Sequence, residues 1–178
     1  MKKTVFMVLV ALLWTVSSAA AAELKVGDKA PDFQLKDTTG KEYTLQDPGF
    51  QGKVLYIAYV DPDEKDTNNH VEDALKKERD SGALDKAKYQ GFGIANLKAS
   101  AMPNFLIKSA IKSKQEKTGA IVLLDYDLGM VGLWGLKTDS SEVVVLDKER
   151  ICRYIYHGKL PQEELAKMLA IIKEYQVK

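Results

Sequence analysis

Lys53-Val54-Leu55-Tyr56-Ile57-Ala58-Tyr59-Val60 is, past its leading lysine, an unbroken apolar run of strand length. A strand covered on both faces reads this way, whereas a half-exposed strand alternates. The run stops at a polar segment, Asp61-Pro62-Asp63-Glu64-Lys65-Asp66-Thr67-Asn68-Asn69. Beyond it Val71, Ala74, Leu75 and Glu78 fall at helical spacing. This predicts a helix from about His70 to Arg79 whose inner face runs out at Glu78, with Thr67, Asn68 or Asn69 as its cap. A buried strand, a polar turn and an amphipathic helix open a parallel crossover.

The pattern continues downstream. Gly91 to Leu97 reads as a second inner strand, and Pro103 is suited to the first turn of a helix that Phe105, Leu106, Ser109 and Ala110 continue. Ala120 to Leu124 is a third apolar strand. Glu142–Asp147 and Ile151–Tyr156 form a hairpin across Lys148-Glu149-Arg150. A last helix begins at Pro161 and buries Leu165, Met168, Leu169 and Ile172, with Glu163 and Glu164 near its positive N-terminus. Upstream, Pro31 to Leu35 alternates at period two, Thr38 to Lys41 is a turn, and Glu42 to Leu45 returns as a short strand. The predicted fold is α/β and thioredoxin-like: a central mixed sheet flanked by helices, with an N-terminal β-hairpin extension.

The first residues read as a targeting segment. Lys2 and Lys3 precede an apolar stretch from Val5 to Val16, and Ala20-Ala21-Ala22 fits the small-x-small cleavage pattern. The stretch is short for a membrane span, so a signal peptide over residues 1–22 is expected, the alternative being an uncut anchor. No cysteine lies near the cut to carry a lipid. A single domain over residues 23–178 is expected, with no integral membrane segment after cleavage. The expected location is the periplasm. Removing Lys2 and Lys3 moves the formal charge from +1 to −1. A near-neutral chain offers no electrostatic reason to bind nucleic acid.

Two sets of motifs carry a resemblance. Val26-Gly27-Asp28-Lys29-Ala30-Pro31-Asp32-Phe33-Gln34-Leu35, then Gly40-Lys41 and Gly52-Lys53-Val54-Leu55, resemble the opening of the peroxiredoxin and TlpA-like thioredoxin families. Gly132-Leu133-Trp134-Gly135-Leu136, Ser140 to Lys148 and Leu160-Pro161-Gln162-Glu163-Glu164 resemble more closely the YtfJ family of small periplasmic proteins. The resemblance implies a thioredoxin-like fold and export. Against the TlpA-like pattern, the Cys-x-x-Cys positions fall near Glu64 and Thr67, where no sulfur stands. A helix N-terminus there would lower a thiol pKa. Against the peroxiredoxin Pro-x-x-x-Thr-x-x-Cys, Pro62 is present, Thr67 is one residue late, and Asn69 or His70 occupies the nucleophile region. The cis-proline position falls near Ser141.

The chain has one cysteine, Cys152, which cannot form an internal disulfide. It reads as a small buried side chain, or alternatively as a thiol for an intermolecular bridge or degenerate peroxidase chemistry. Asp61, Asp63, Asn69 and Glu72 match positions 1, 3, 9 and 12 of a calcium loop, but Lys65 and Asp66 stand where a ligand and the turn glycine belong. His70, Asp66 and Asp73 share a helical edge, an incomplete metal set. No cofactor and no metal is expected. Gly129, Gly132 and Gly135 read as turn and close-packing glycines, Trp134 as core and His157 as the close of a turn. Lys108, Lys112, Lys114 and Lys117 give a basic helix face, solvated or facing an anionic partner. The leading expectation is a non-catalytic module. It would bind a protein or peptide in the periplasm at Asp61, Asp63, Glu64, Asp66, Thr67, His70, Ser140 and Ser141.

Overall fold

A computed structural model describes residues 23–178; the expected leader, 1–22, lies outside the described residues. In chain order the elements are β1 (Leu35–Asp37), β2 (Glu42–Tyr43), β3 (Val54–Val60), α1 (Asn69–Asp80), β4 (Tyr89–Asn96), α2 (Asn104–Thr118), β5 (Ile121–Asp125), α3 (Gly129–Trp134), β6 (Ser141–Leu146), β7 (Cys152–His157) and α4 (Gln162–Val177). They build one seven-stranded sheet in the order β2-β1-β5-β4-β3-β6-β7. β3, β4 and β5 run parallel, and every other pairing is antiparallel. The α/β architecture with an N-terminal hairpin at one edge is the one read from the sequence.

Strand β3 lies between β4 and β6, which explains its lack of alternation. Leu55, Ile57 and Tyr59 face a core of Phe33, Phe50, Met130, Trp134 and Leu136. Val54, Tyr56 and Ala58 face Val71 and Leu75 of α1 and Leu165, Met168 and Ile172 of α4. Both clusters are built from apolar and aromatic side chains. Trp134 is fully buried, and its indole N–H donates to the Pro31 carbonyl at 2.9 Å.

Several expectations are corrected in detail. Residues 31–34 are not a strand. The Asp32 carboxylate takes the backbone N–H groups of Phe33 and Leu45, and Pro31 gives its carbonyl to Trp134, so this backbone is satisfied without a ladder. Helix α2 starts one residue after Pro103 and turns Ile107 inward, while Phe105 and Leu106 are exposed. The four lysines of α2 do not share one face: Lys108 and Lys112 are one turn apart, and Lys114 lies round the helix from them. Gly129 to Trp134 is a short helix, α3. Trp134 is core as expected; of the three glycines Gly135, the C-cap, meets its expectation in full: φ is +68°, and a Cβ there would meet the Glu23 Cα at 2.8 Å.

At the β6–β7 turn, Arg150 is buried and holds the turn to the rest of the domain. Its guanidinium donates to the carbonyls of Leu45 (3.0 Å), Lys53 (3.1 Å), Phe50 (2.7 Å), Asp147 (3.2 Å) and Lys148 (3.3 Å). Burial lowers its pKa, and the neighbouring Asp147 opposes that shift.

Candidate functional site

Open parallel sheets place ligands beyond the carboxyl ends of their strands, where the chain leaves for its crossover helices. In this domain that edge is formed by the ends of β3, β4 and β5 and the start of β6. The Asp61 N–H donates to the Ser140 carbonyl at 3.1 Å, so the segment after β3 and the Ser140-Ser141 loop do meet. Asp61 is buried, its Oδ1 accepts the Asp63 N–H at 2.9 Å, and burial raises its pKa. Pro62–Glu64 forms one 3-10 turn. Asp63, Glu64 and Asp66 are exposed. Asp63 accepts a hydrogen bond from the Ser100 hydroxyl at 3.0 Å, and Thr67 donates to Glu64 at 2.5 Å.

The residue that holds this corner together is Asn68, which the sequence offered only as a helix cap. It stands at the cap position of α1 but makes no side-chain cap bond. Its amide donates to Ser141 Oγ and to the Gly158 carbonyl, both at 3.0 Å, and its Oδ1 accepts the Leu160 N–H at 2.9 Å. One buried side chain therefore ties α1 to β6 and to the β7–α4 loop. His70 adds a second tie: its Nε2 lies 2.8 Å from the Leu160 carbonyl, an acceptor, so that nitrogen carries the hydrogen. The shared edge of His70, Asp66 and Asp73 does not form, because Asp66 is taken by Asn69 and Lys65. The calcium-loop residues also diverge, with Asp61 turned into the protein and Asn69 onto Asp66. Among the described residues no group of three or more His, Cys, Asp or Glu side chains is placed to hold a metal ion.

Behind the loop lies a row of buried polar groups on the α3 side of the sheet. Asn96 and Asp125 are register partners, as are Tyr59 and Glu142, and Glu142 and His157. Register partners share a face. Asp125 accepts the N–H groups of Gly129 (2.8 Å) and Met130 (3.0 Å), which start α3, and the Tyr59 hydroxyl at 3.2 Å. Burial first, and then the Asp125 charge, raises the Tyr59 pKa. Glu142 is fully buried, and His157 Nδ1 lies 2.9 Å from its Oε2. Glu142 and His157 thus pair at close range, while Asn96 Nδ2 has no hydrogen-bond partner. Burial raises the Glu142 pKa, and His157 and Lys137 oppose the shift. His157 thus faces a carboxylate instead of merely closing a turn. Sequence spacing could not reveal this row, because its members come from five strands. The one available signal was a charged residue, Glu142, at the head of an otherwise apolar strand.

Cys152 lies at the opposite end of the sheet. It pairs with Leu146, five residues along β6 from Ser141, which is about 17 Å of strand. Its side chain is fully buried, Sγ faces the Tyr154 carbonyl at 3.5 Å, and burial pushes the thiol pKa up to about 11. The polar side chains at the corner are carboxylates, amides, hydroxyls, the Lys65 amine and the His70 imidazole. No cis peptide bond occurs among the described residues, and Ser141 begins β6 in regular pairing with Val60.

A family model described as "Bacterial protein of unknown function (YtfJ_HI0045)" matches residues 16–175. The chain belongs to the YtfJ family. A relative from Haemophilus influenzae, described as an uncharacterized protein, is 24% identical over 184 residues, covering 97% of each chain. Among solved structures, a thiol peroxidase from Chromobacterium violaceum superposes with a TM-score of 0.61 at 13% identity, covering 86% of this chain and 89% of that one. A thiol-disulfide oxidoreductase from Bacteroides fragilis gives 0.58 at 14% identity, covering 80% and 98%. At these identities the likeness establishes a thioredoxin-like fold and nothing about activity.

Proposed function

We propose that this YtfJ-family protein is an exported, redox-inert docking module that binds a protein segment at the corner formed by Asp61–His70 and Ser140-Ser141. The observation that carries the reading is the separation of sulfur from that corner. The one thiol is sealed at the far end of the sheet with a pKa of about 11, which leaves it protonated and unreactive at neutral pH. Bonding within the corner supports the same reading. Asn68 and His70 lock the loops in place, so a ligand meets a preorganised surface and pays little ordering entropy. Export rests on the Lys2-Lys3 and Val5–Val16 pattern.

Two experiments test it. A photoactivatable residue in place of Glu64 is expected to yield cross-linked products in intact cells, while the same residue in place of Glu149, at the other end of the sheet, yields none. Equal labelling at both positions removes the corner from consideration. Fractionation of cells expressing the chain with its own leader is expected to place it in the periplasm, and retention in the cytoplasm refutes export.

A further inference from the structure

The two edges of the sheet are finished differently. At one edge, β2 is only two residues long. At the other, the chain covers the beginning of β7 with its own N-terminal segment. The Gly27 N–H donates to the Cys152 carbonyl and the Cys152 N–H to the Asp28 carbonyl, both at 2.8 Å. Ala30 donates to the Arg150 carbonyl at 2.8 Å, and Lys29 bridges Ile151 in the antiparallel sense. Beyond Arg153 no described residue pairs with the outer side of β7.

Strand phase fixes what that open stretch offers. β7 is antiparallel to β6 with His157 opposite Glu142, and the Gly158 N–H donates to the Ser141 carbonyl at 3.0 Å. In an antiparallel ladder such a bond flanks a pair whose own N–H and C=O groups point away from each other. His157 therefore turns its backbone groups outward, Ile155 does the same two residues earlier, and Tyr154 and Tyr156 bond to β6. Two free donors and two free acceptors stand about 7 Å apart along the edge. Edges are ordinarily guarded by lysine, proline, bulges or free charge. The register shift between Val145 and Leu146 falls at Arg153, before the open residues. Arg153 itself is drawn back onto Asp147 at 2.7 Å and over the Tyr175 ring, and His157 is turned to Glu142. No guard stands at Ile155 to His157.

A row of backbone groups in this phase is complemented by one thing, another strand. We infer that the β7 edge takes up an extended segment of a partner protein, which pairs its backbone with Ile155 and His157. The chain's own residues 27–30 already add to this edge, and the partner continues where they stop. Its alternate side chains fall beside Ile155 on the α3 face of the sheet and beside Tyr156 on the α4 face. Both are half-buried and uncharged, so β-branched residues suit the segment. A second copy of this chain is the poorer occupant. Paired antiparallel about Tyr156, it would set its own Cys152 opposite Leu160, where its edge is already filled by its Gly27 and Asp28. The open edge ends at the corner, because Gly158 donates to Ser141 and accepts the Asn68 amide. This rests on reading the corner as a docking surface and supplies the conformation of what docks there.

Amide-resolved NMR on the protein produced with its own leader tests this. In the dilute free protein the Ile155 and His157 amides are expected to exchange at least about tenfold faster than those of Tyr154 and Tyr156. The probe is a short synthetic peptide of alternating valine and threonine with a lysine at each end. At about 1 mM it is expected to shift and protect the Ile155 and His157 signals. Ile155→Pro removes one outward N–H and leaves the β6 ladder whole, so it should keep its melting temperature and bind the probe at least about tenfold more weakly. Tyr156→Pro deletes an inward donor and should be strongly destabilised. Slow exchange at Ile155 and His157 in the dilute free protein overturns the open edge, and so does an Ile155→Pro chain that unfolds as readily as Tyr156→Pro. A probe that moves neither signal up to about 5 mM, or that binds wild type and Ile155→Pro alike, overturns strand addition. Protection that appears only as the protein is concentrated makes a second copy the occupant and refutes the foreign segment. A probe held at the edge while position 64 cross-links nothing in cells refutes the corner alone. Cross-links through position 64 with an edge that takes no probe refute the edge alone.

Discussion

Asn68→Ala is the perturbation that separates a built corner from a decorative one. The substitution removes three hydrogen bonds of 3.0, 3.0 and 2.9 Å and strands their partners on Ser141, Gly158 and Leu160. Net hydrogen bonds contribute about 1 kcal/mol each, and a buried donor left unpaired costs about 1–3 kcal/mol, so the expected loss is about 3 kcal/mol. For a domain of this size that lowers the melting temperature by about 6–12 °C. Urea unfolding followed by tryptophan emission reads the loss, because Trp134 is wholly buried in the native state. Hydrogen exchange at Leu160 gives the local version: its N–H is bonded to the Asn68 side chain, and its protection should collapse in the variant. Asn69→Ala is the control, since Asn69 is exposed and reaches only Asp66; it should change stability by less than about 0.5 kcal/mol. Should Asn68→Ala cost less than about 1 kcal/mol and leave Leu160 protected, the corner is not held together as described.

Three further outcomes are expected. Native protein at pH 7 should leave a thiol-reactive dye unconsumed until it is unfolded, because the Cys152 thiol is sealed and its pKa is raised to about 11; stoichiometric labelling of native protein contradicts this. Arg150→Met should destabilise by about 3–5 kcal/mol in urea, since five carbonyls lose a charged donor at once; a loss below about 1 kcal/mol would show those carbonyls satisfied otherwise. Glu142→Gln should reshape the dependence of stability on pH. The folded-state pKa of Glu142 is raised, so its proton stabilises the native state below the unfolded value of about 4.3, and that contribution is lost as pH rises through the folded value. Relative to wild type, the glutamine variant should therefore gain stability from about pH 4 upward. Parallel profiles for the two proteins would remove Glu142 as the group responsible.

How legible all this was in the sequence depends on the range of each interaction. The apolar run Val54–Val60 could be placed because a strand with neighbours on both sides has one composition signature, and the described strand coincides with it. Helices α1 and α4 were legible through their spacing, which reports the face each turns to the core. Helix α2 was legible as a helix but not in its orientation. Phe105 and Leu106 are as apolar as Ile107, and only the docked sheet decides which of them is covered. The corner was half legible. The resemblance to thioredoxin-fold families pointed to the segments Asp61–His70 and Ser140-Ser141, and the two do meet in the fold. It could not single out Asn68, whose role depends on carbonyl and amide groups some ninety residues away in the chain. Glu142 and His157 were missed for the same reason, since their pairing is a property of strand register.

That register leads to the remaining argument about what the carboxyl edge is for. At the opposite end of the sheet every polar atom of Asp147 and Arg150 is engaged: Asp147 holds the N–H groups of Glu149 and Ile151 and the Arg153 guanidinium, while Arg150 caps five carbonyls. Polar groups there serve the fold and are fully satisfied, as buried polar groups ordinarily are. At the carboxyl edge the fully buried Glu142 carboxylate is set against the half-buried His157 imidazole, 2.9 Å away. Two tyrosine hydroxyls under α1, Tyr56 and Tyr89, lack partners, but leaving a neutral hydroxyl unpaired costs far less than burying a carboxylate. The chain thus keeps a fully buried acid at the end of the sheet where α/β folds place their ligands. If that cost served only packing, Glu142→Leu in place of Glu142→Gln would stabilise the protein and leave cross-linking through Glu64 unchanged. A loss of cross-linking in a leucine variant that is more stable than wild type would instead show that the buried acid is maintained for the corner.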